Sequence, residues 1–247
     1  MKKSLLLLAL GTTLTIGAQA QFKNILKKDS SGKTGVDKLL GKTGGGSSLS
    51  AEEVARGLKE ALSVGANNAG SKLSAVDGFF KDAALKILMP AEAQKVERKL
   101  RQLGMGKLVD DAILAMNRSA EDASKSAAPI FVNAIKGMSI QDAFGILKGG
   151  NTAATDYLKG KTTTELTNAF RPVIEQSLQK TNATKYWNTL FSAYNKVSTD
   201  KVNPDLSAYV TEKALTGIFF QVGQEEQKIR KDPMARTSDL LKKVFAN

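Results

Sequence analysis

The stretch DLSAYVTEKALTGIFFQVGQEEQKIR, from Asp205 to Arg230, has a clear helical pattern. Its apolar residues recur every three or four positions, which is the spacing of one face of an α-helix, and its first residue is of a type that caps helix starts. The triplet Ile218-Phe219-Phe220 is the best strand candidate in the sequence, but it lies inside this helical pattern. The stretch therefore predicts one long helix, which Asp232-Pro233 ends.

The same helical spacing extends from this stretch back to Ser50. Capping residues and glycine or proline stops separate the helical segments, and no convincing alternation with a period of two appears. Ser50 with Glu53, and Ser139 with Asp142, have the spacing of a capping box. The sequence therefore predicts an all-α fold, a single-domain bundle of about nine or ten short-to-medium helices.

The tripeptide Gly-Lys-Thr occurs three times, at residues 32–34, 41–43 and 160–162. A phosphate-binding loop needs a further glycine five residues before the Gly-Lys pair, after a strand and before a helix, and none of the copies has one there. We therefore expect no nucleotide binding. In the third copy, Gly160 is expected to stop a short helix and Thr162 to cap the next one, with Pro172 as a kink in that second helix.

The N-terminus has the three-part layout of a secretory signal peptide. A positive start at Met1-Lys2-Lys3 leads into an apolar run, and Ala18-Gln19-Ala20 has the small-x-small pattern of a cleavage site. The run is too short for a membrane span, so we expect cleavage after Ala20, no transmembrane span afterwards, and a periplasmic or extracellular location. The predicted organisation is a signal peptide at 1–20, a flexible basic Gly/Ser/Lys linker at 21–49 and an all-helical domain at 50–247.

The chain contains neither cysteine nor histidine. Lipid attachment through cysteine, disulfides, the Ser-His-Asp triad and most zinc sites are therefore excluded. No metal-ligand cluster is evident, and we expect no metal and no cofactor. Catalysis would have to use carboxylate, lysine, tyrosine or serine side chains, and we favour a protein that is not an enzyme.

The formal net charge is +12, and removal of Lys2 and Lys3 with the signal peptide leaves +10. A basic exported protein is suited to an anionic envelope component, such as lipid, lipopolysaccharide or wall polymer, or to a protein partner. Nucleic acid is disfavoured, because Trp187 is the only tryptophan and no basic stretch is interleaved with aromatic residues.

Two groups of polar residues lie at or beside apolar helix faces and are candidate binding residues. On the long helix, Glu226 has the spacing to pair with Arg230, and Glu225 lies at the edge of the apolar stripe. The alternative for these glutamates is a partly buried carboxylate serving acid chemistry, with a second carboxylate from Glu212, Asp110 or Asp239. The other candidates are Asn117, Arg118 and Arg171, which either bind a ligand or form structural pairs with neighbouring helices.

Three stretches resemble the bacterial family named domain of unknown function 4197. They are MNRSAEDA at Met116–Ala123, the stretch Ala128–Thr162, and YVTEKALTGIFFQVGQEEQKIRKDPMARTSDLLKKVF at Tyr209–Phe245, which is the most specific. The resemblance extends from about Ser50 to the end of the chain. It implies an exported helical protein and assigns no activity and no site residue.

Three hypotheses for function follow. The first is a non-catalytic envelope protein that binds a partner through a basic helical surface, or has a structural role there. The second is a carrier of a small hydrophobic ligand with a pocket between helices. The third is a carboxylate-based hydrolase or lyase acting on cell-wall glycan. A deep apolar cavity would favour the carrier. Two facing carboxylates in a groove would favour the enzyme, and a flat basic face would favour the surface-binding protein.

Overall fold

The computed structural model describes residues 49–199, 201–236 and 238–244, and these contain helices and no strand. The predicted all-α fold is confirmed. The predicted signal peptide and nearly all of the predicted linker lie outside the described residues, so both stay predictions. The chain divides into two units at Val54. Of the first unit, residues 49–54 are described; there the Ser50 hydroxyl accepts from the Glu53 amide at 3.1 Å, and the Glu53 carboxylate accepts from the Ser50 amide at 2.8 Å.

The helices follow one another along the chain, and the longest connection between them runs from the end of the first helix at Ser74 to the 3-10 turn that begins at Ala91. Their bounds are α1 Ala51–Ser74, α2 Gln94–Gln102, α3 Gly106–Ser124, α4 Ala127–Lys136, α5 Ile140–Lys148, α6 Ala153–Lys180, α7 Ala183–Val197, α8 Leu206–Lys231 and α9 Asp239–Val244, with 3-10 turns at Ala91–Ala93 and Pro233–Ala235. The predicted long helix is α8, which Asp205 caps by accepting from the Ala208 amide. Pro129 lies in the first turn of a new helix, α4, where its missing N–H removes no hydrogen bond.

The centre of residues 55–247 is α6, which packs against α3 and α8. Its buried stripe recurs at helical spacing and is formed by Leu158, Thr162, Leu166, Phe170, Ile174 and Leu178. The facing stripe of α8 includes Val210, Ala214 and Ile218, all buried. Removal of these large apolar side chains from water supplies the main stabilising free energy of the bundle.

The expected helix stop at Gly160 is wrong. Gly160 and Thr162 lie inside the continuous helix α6, which also runs through Pro172. The Thr162 hydroxyl donates to the Leu158 carbonyl at 2.7 Å, one turn back in the same helix, so it caps nothing. A glycine inside a helix costs about 1 kcal/mol, which is less than the burial of one large apolar side chain contributes. The buried stripe on both sides of Gly160 therefore keeps the helix intact.

The last helix, α9, packs on α1 at Gly57. A Cβ atom placed on Gly57 would lie 2.9 Å from Val244 Cγ2 and 3.0 Å from Leu240 Cγ. Leu240 and Val244 therefore pack against α1, whereas Phe245 and the side chain of Leu241 lie outside the described residues. Within the described part of the chain, none of the helices is both long and apolar enough to cross a membrane.

Candidate ligand-binding cleft

Glu226 on α8 binds the N-terminus of α6. Its carboxylate is 5% exposed and accepts from the Ala154 amide at 3.0 Å, the Thr155 amide at 2.9 Å and the Thr155 hydroxyl at 2.7 Å. The first amides of a helix have no partner within the helix, and their partial positive charge favours a carboxylate. Glu226 therefore caps a helix that lies about 70 residues earlier in the sequence.

Arg230, one turn along α8, completes this arrangement. Its Nε donates to Glu226 Oε1 at 2.9 Å, and its Nη2 donates to the carbonyl of Ile146 in the last turn of α5 at 2.8 Å. The expected pair is present, but it is buried rather than exposed. Glu225 lies apart from it and accepts from the side-chain amide of Asn68 on α1 at 3.2 Å. The structure thus gives the Glu226–Arg230 pair a role in joining α5, α6 and α8.

Asn117 and Arg118 hold the loop between α1 and α2. The fully buried Asn117 side chain accepts from the Ile87 amide and donates to the Ile87 carbonyl, both at 2.8 Å. Arg118 donates to Glu121 and to Asp77, both at 2.6 Å. Hydrogen bonds to Glu121 and then Asp77 raise the pKa of Arg118, and those from Lys81 and then Arg118 lower the pKa of Asp77. Both groups stay charged and paired at neutral pH.

Glu121 was not among the candidate residues predicted from the sequence. Its buried carboxylate accepts from the amides of Phe79 and Phe80 at 3.1 Å, so it fixes the loop that Arg118 also binds. The available signal was its spacing of three residues from Arg118, which allows an ion pair on one helix face. Arg171 has a simpler environment, an exposed pair with Asp205 at 2.6 Å. The six candidate residues therefore lie in separate networks rather than in one site.

A cleft of about 700 Å³ lies between α2, α3, the end of α6, and α7. Arg118 is the one candidate residue that lines it. The side chains that line it are mostly apolar and include Met89, Val96, Leu100, Met105, Leu108, Val109, Ala112, Leu114, Tyr186, Trp187 and Phe191. The ring centroids of Trp187 and Phe191 lie 4.3 Å apart, and the Trp187 indole N–H donates to the carbonyl of Asn203 at 3.2 Å. The aromatic wall of the cleft is therefore held in place.

The helix α2 forms one wall of the cleft without entering the core. No residue of α2 is fully buried, although Val96 and Leu100 pack against the core from one face. Gly104 then turns the chain with a φ of +78°, a conformation that glycine adopts without steric cost, and α3 follows. The sequence pattern does not show that the space between α2 and α7 stays unfilled.

The two carboxylates that line the cleft are each paired with a base on their own helix. Glu97 lies 3.0 Å from Arg101 Nε, and Asp111 lies 2.7 Å from Lys107 Nζ. Among the described residues, no group of three or more acidic side chains could hold a metal ion. The cleft is thus a mostly apolar volume whose two lining carboxylates are each paired with a basic side chain.

These features define an all-helical protein with an apolar cleft between its helices. The chain belongs to the family described as protein of unknown function (DUF4197), whose family model matches residues 48–246. No curated protein and no solved structure shows significant similarity to it.

Proposed function

We propose that the protein is a non-catalytic carrier of a small hydrophobic ligand, which it binds in the cleft between α2, α3 and α7. The observation that carries the proposal is the cleft itself, because about 700 Å³ of mostly apolar space lies within the size range of ligand sites. A monomeric domain gains stability by closing such a space with its own side chains. A cleft that stays open is therefore better explained by an occupant than by packing.

The exposure of the rim residues supports the same proposal. Met105, Leu108 and Tyr186 line the cleft and are 44%, 39% and 56% exposed. Contiguous exposed apolar residues mark interaction sites on soluble proteins. Methionine also adapts its shape to different ligands, and tyrosine presents an apolar ring with a polar end. A bound hydrophobic molecule would cover these side chains.

In this proposal the carrier acts in the cell envelope. The predicted signal peptide at residues 1–20 would direct export, and sequencing of the exported protein should then begin at Gln21. The net positive charge would favour approach to an anionic lipid or wall polymer, where a hydrophobic ligand could be collected or delivered. An exported protein that retains Met1 would contradict this location without affecting the ligand site.

The ligand site can be tested with N-phenylnaphthylamine, an uncharged probe whose fluorescence rises in apolar surroundings. Trp187, the only tryptophan, lines the cleft, so energy transfer from its indole to the probe reports binding at this site. We expect saturable one-to-one binding by the full chain. Ala112→Phe places a ring in the cleft and should weaken probe binding by about tenfold or more, since it removes the apolar volume.

The matched control is Ala83→Phe, which adds the same ring at an exposed alanine that does not line the cleft. This variant should bind the probe as the natural protein does. Failure of the natural protein to bind would overturn the proposal. Equal binding by all three proteins would also overturn it, because the probe would then occupy another surface.

A further inference from the structure

We infer that the cleft selects an uncharged, lipid-like ligand, and that the hydroxyl of Tyr186 binds the polar head of that ligand. This inference rests on the proposed carrier function and names its ligand class. It follows from the polar groups that line the cleft, which, with one exception, are already engaged within the protein.

The charged side chains that line the cleft each form an ion pair within the protein. Glu97 and Asp111 pair with Arg101 and Lys107, and Arg118 donates to both Glu121 and Asp77. An anionic head could recruit Arg118 only by drawing it from Glu121, whose side chain is 5% exposed. A buried carboxylate left without its cation is strongly unfavourable. A cationic head would have to compete with Arg101 for Glu97, or with Lys107 for Asp111.

The neutral polar groups of the cleft are engaged as well. The hydroxyl of Thr181 donates to the Leu178 carbonyl at 2.9 Å, and that of Thr189 donates to the Lys185 carbonyl at 2.9 Å. Ser177 donates to Asp122 at 3.2 Å. A charged head placed among these groups would lose its water shell without gaining a partner, whereas an apolar body with an uncharged head loses far less.

Tyr186 is the exception. It lines the cleft, it is 56% exposed, and its hydroxyl forms no hydrogen bond with any of the described residues. A tyrosine hydroxyl both donates and accepts, so it can bind an alcohol, an ester or a ketone. Its ring lies beside the apolar lining, so one side chain can contact both the body and the head of a lipid-like molecule.

The test compares three ligands that share one alkyl chain and differ in the charge of the head. Dodecanol, dodecanoate and dodecyltrimethylammonium would each displace N-phenylnaphthylamine from the full chain, below their micelle concentrations. We expect dodecanol to bind at least about tenfold more tightly than either charged ligand. Tyr186→Phe should weaken dodecanol binding by about threefold to tenfold, which is the contribution of one hydrogen bond.

The outcomes separate this inference from the proposed function. If the probe binds and the three ligands compete equally, or a charged one competes best, the selectivity is wrong and the carrier function stands. If Tyr186→Phe binds dodecanol as the natural protein does, Tyr186 is not the head-binding residue. If the probe itself does not bind, the proposed carrier function is wrong, and the inference about its ligand is wrong with it.

Discussion

Glu226 and Arg230 lie one turn apart on α8, and together they hold the end of one helix and the start of the next. Glu226 accepts from the first amides of α6, Arg230 donates to a carbonyl in the last turn of α5, and the two side chains are joined at 2.9 Å. One buried ion pair thereby fixes the α5–α6 junction against α8. Because each partner also satisfies backbone groups, the loss of either leaves several polar atoms unpaired.

We expect Glu226→Ala to lower the free energy of unfolding by about 3–5 kcal/mol, because it leaves the mostly buried Arg230 charge without its carboxylate and two helix amides without a partner. Chemical denaturation followed by circular dichroism measures the change. Arg171→Ala is the matched control, since it removes an exposed Arg–carboxylate pair and should cost less than about 1 kcal/mol. Equal effects of the two substitutions would show that the Glu226 pair is not buried in solution.

Gly217→Ala should destabilise the protein by roughly 1–3 kcal/mol through overpacking. Gly217 lies in α8 against the fully buried ring of Phe79, and an added Cβ would lie 2.5 Å from Phe79 Cε1. The ring has little freedom to move, because the Phe79 amide is bound to Glu121. Thermal unfolding measures the effect, and an unchanged melting temperature would mean that the ring is not seated on this glycine.

Gly160→Ala should have the opposite effect and stabilise the protein by roughly 0.5–1 kcal/mol. Gly160 is inside α6, and an added Cβ meets nothing within 4 Å, so alanine improves helix propensity without crowding. The comparison with Gly217→Ala keeps the chemical change constant and varies only the surroundings. A loss of stability would support a helix stop at Gly160 instead of a continuous helix.

Stability should fall at alkaline pH as Tyr209 ionises. Burial, followed by the nearby charges of Glu92 and Glu212, raises the pKa of Tyr209 from 10.0 to about 12, and its hydroxyl donates to the Leu88 carbonyl at 2.8 Å. The folded state holds this proton more tightly than the unfolded state. The stabilisation is therefore complete below the unfolded pKa and is lost as pH rises through the folded value.

The measurement is the free energy of unfolding between about pH 9 and pH 12, with Tyr209→Phe as the reference that lacks the titrating group. Lysines titrate in the same range in both proteins, so only the difference between the two curves reports Tyr209. We expect the natural protein to lose more stability than the variant over this range. Parallel curves would show that Tyr209 has its ordinary pKa in the folded protein.

The all-α class, the extent of α8 and the capping box that starts α5 were all predictable from local sequence. Each of these rests on interactions within a few residues: a 3.6-residue apolar period, an Asp205 cap, and the exchange of hydrogen bonds between Ser139 and Asp142. A short stretch of sequence contains all the atoms that such interactions need. The spacing of Glu226 and Arg230 on one helix was predictable for the same reason.

The contacts that those side chains make were not predictable, because they depend on the packing of distant segments. Glu226 caps α6, and Asn117 and Glu121 bind the loop before α2, because packing brings together groups that are tens of residues apart in sequence. Gly160 lies within a helix because burial of the apolar stripe of α6 contributes more stabilising free energy than the low helix propensity of glycine costs. The cleft is likewise a property of packing: Val96, Leu108 and Trp187 have the pattern of core residues, and only the arrangement of α2, α3 and α7 leaves space between them.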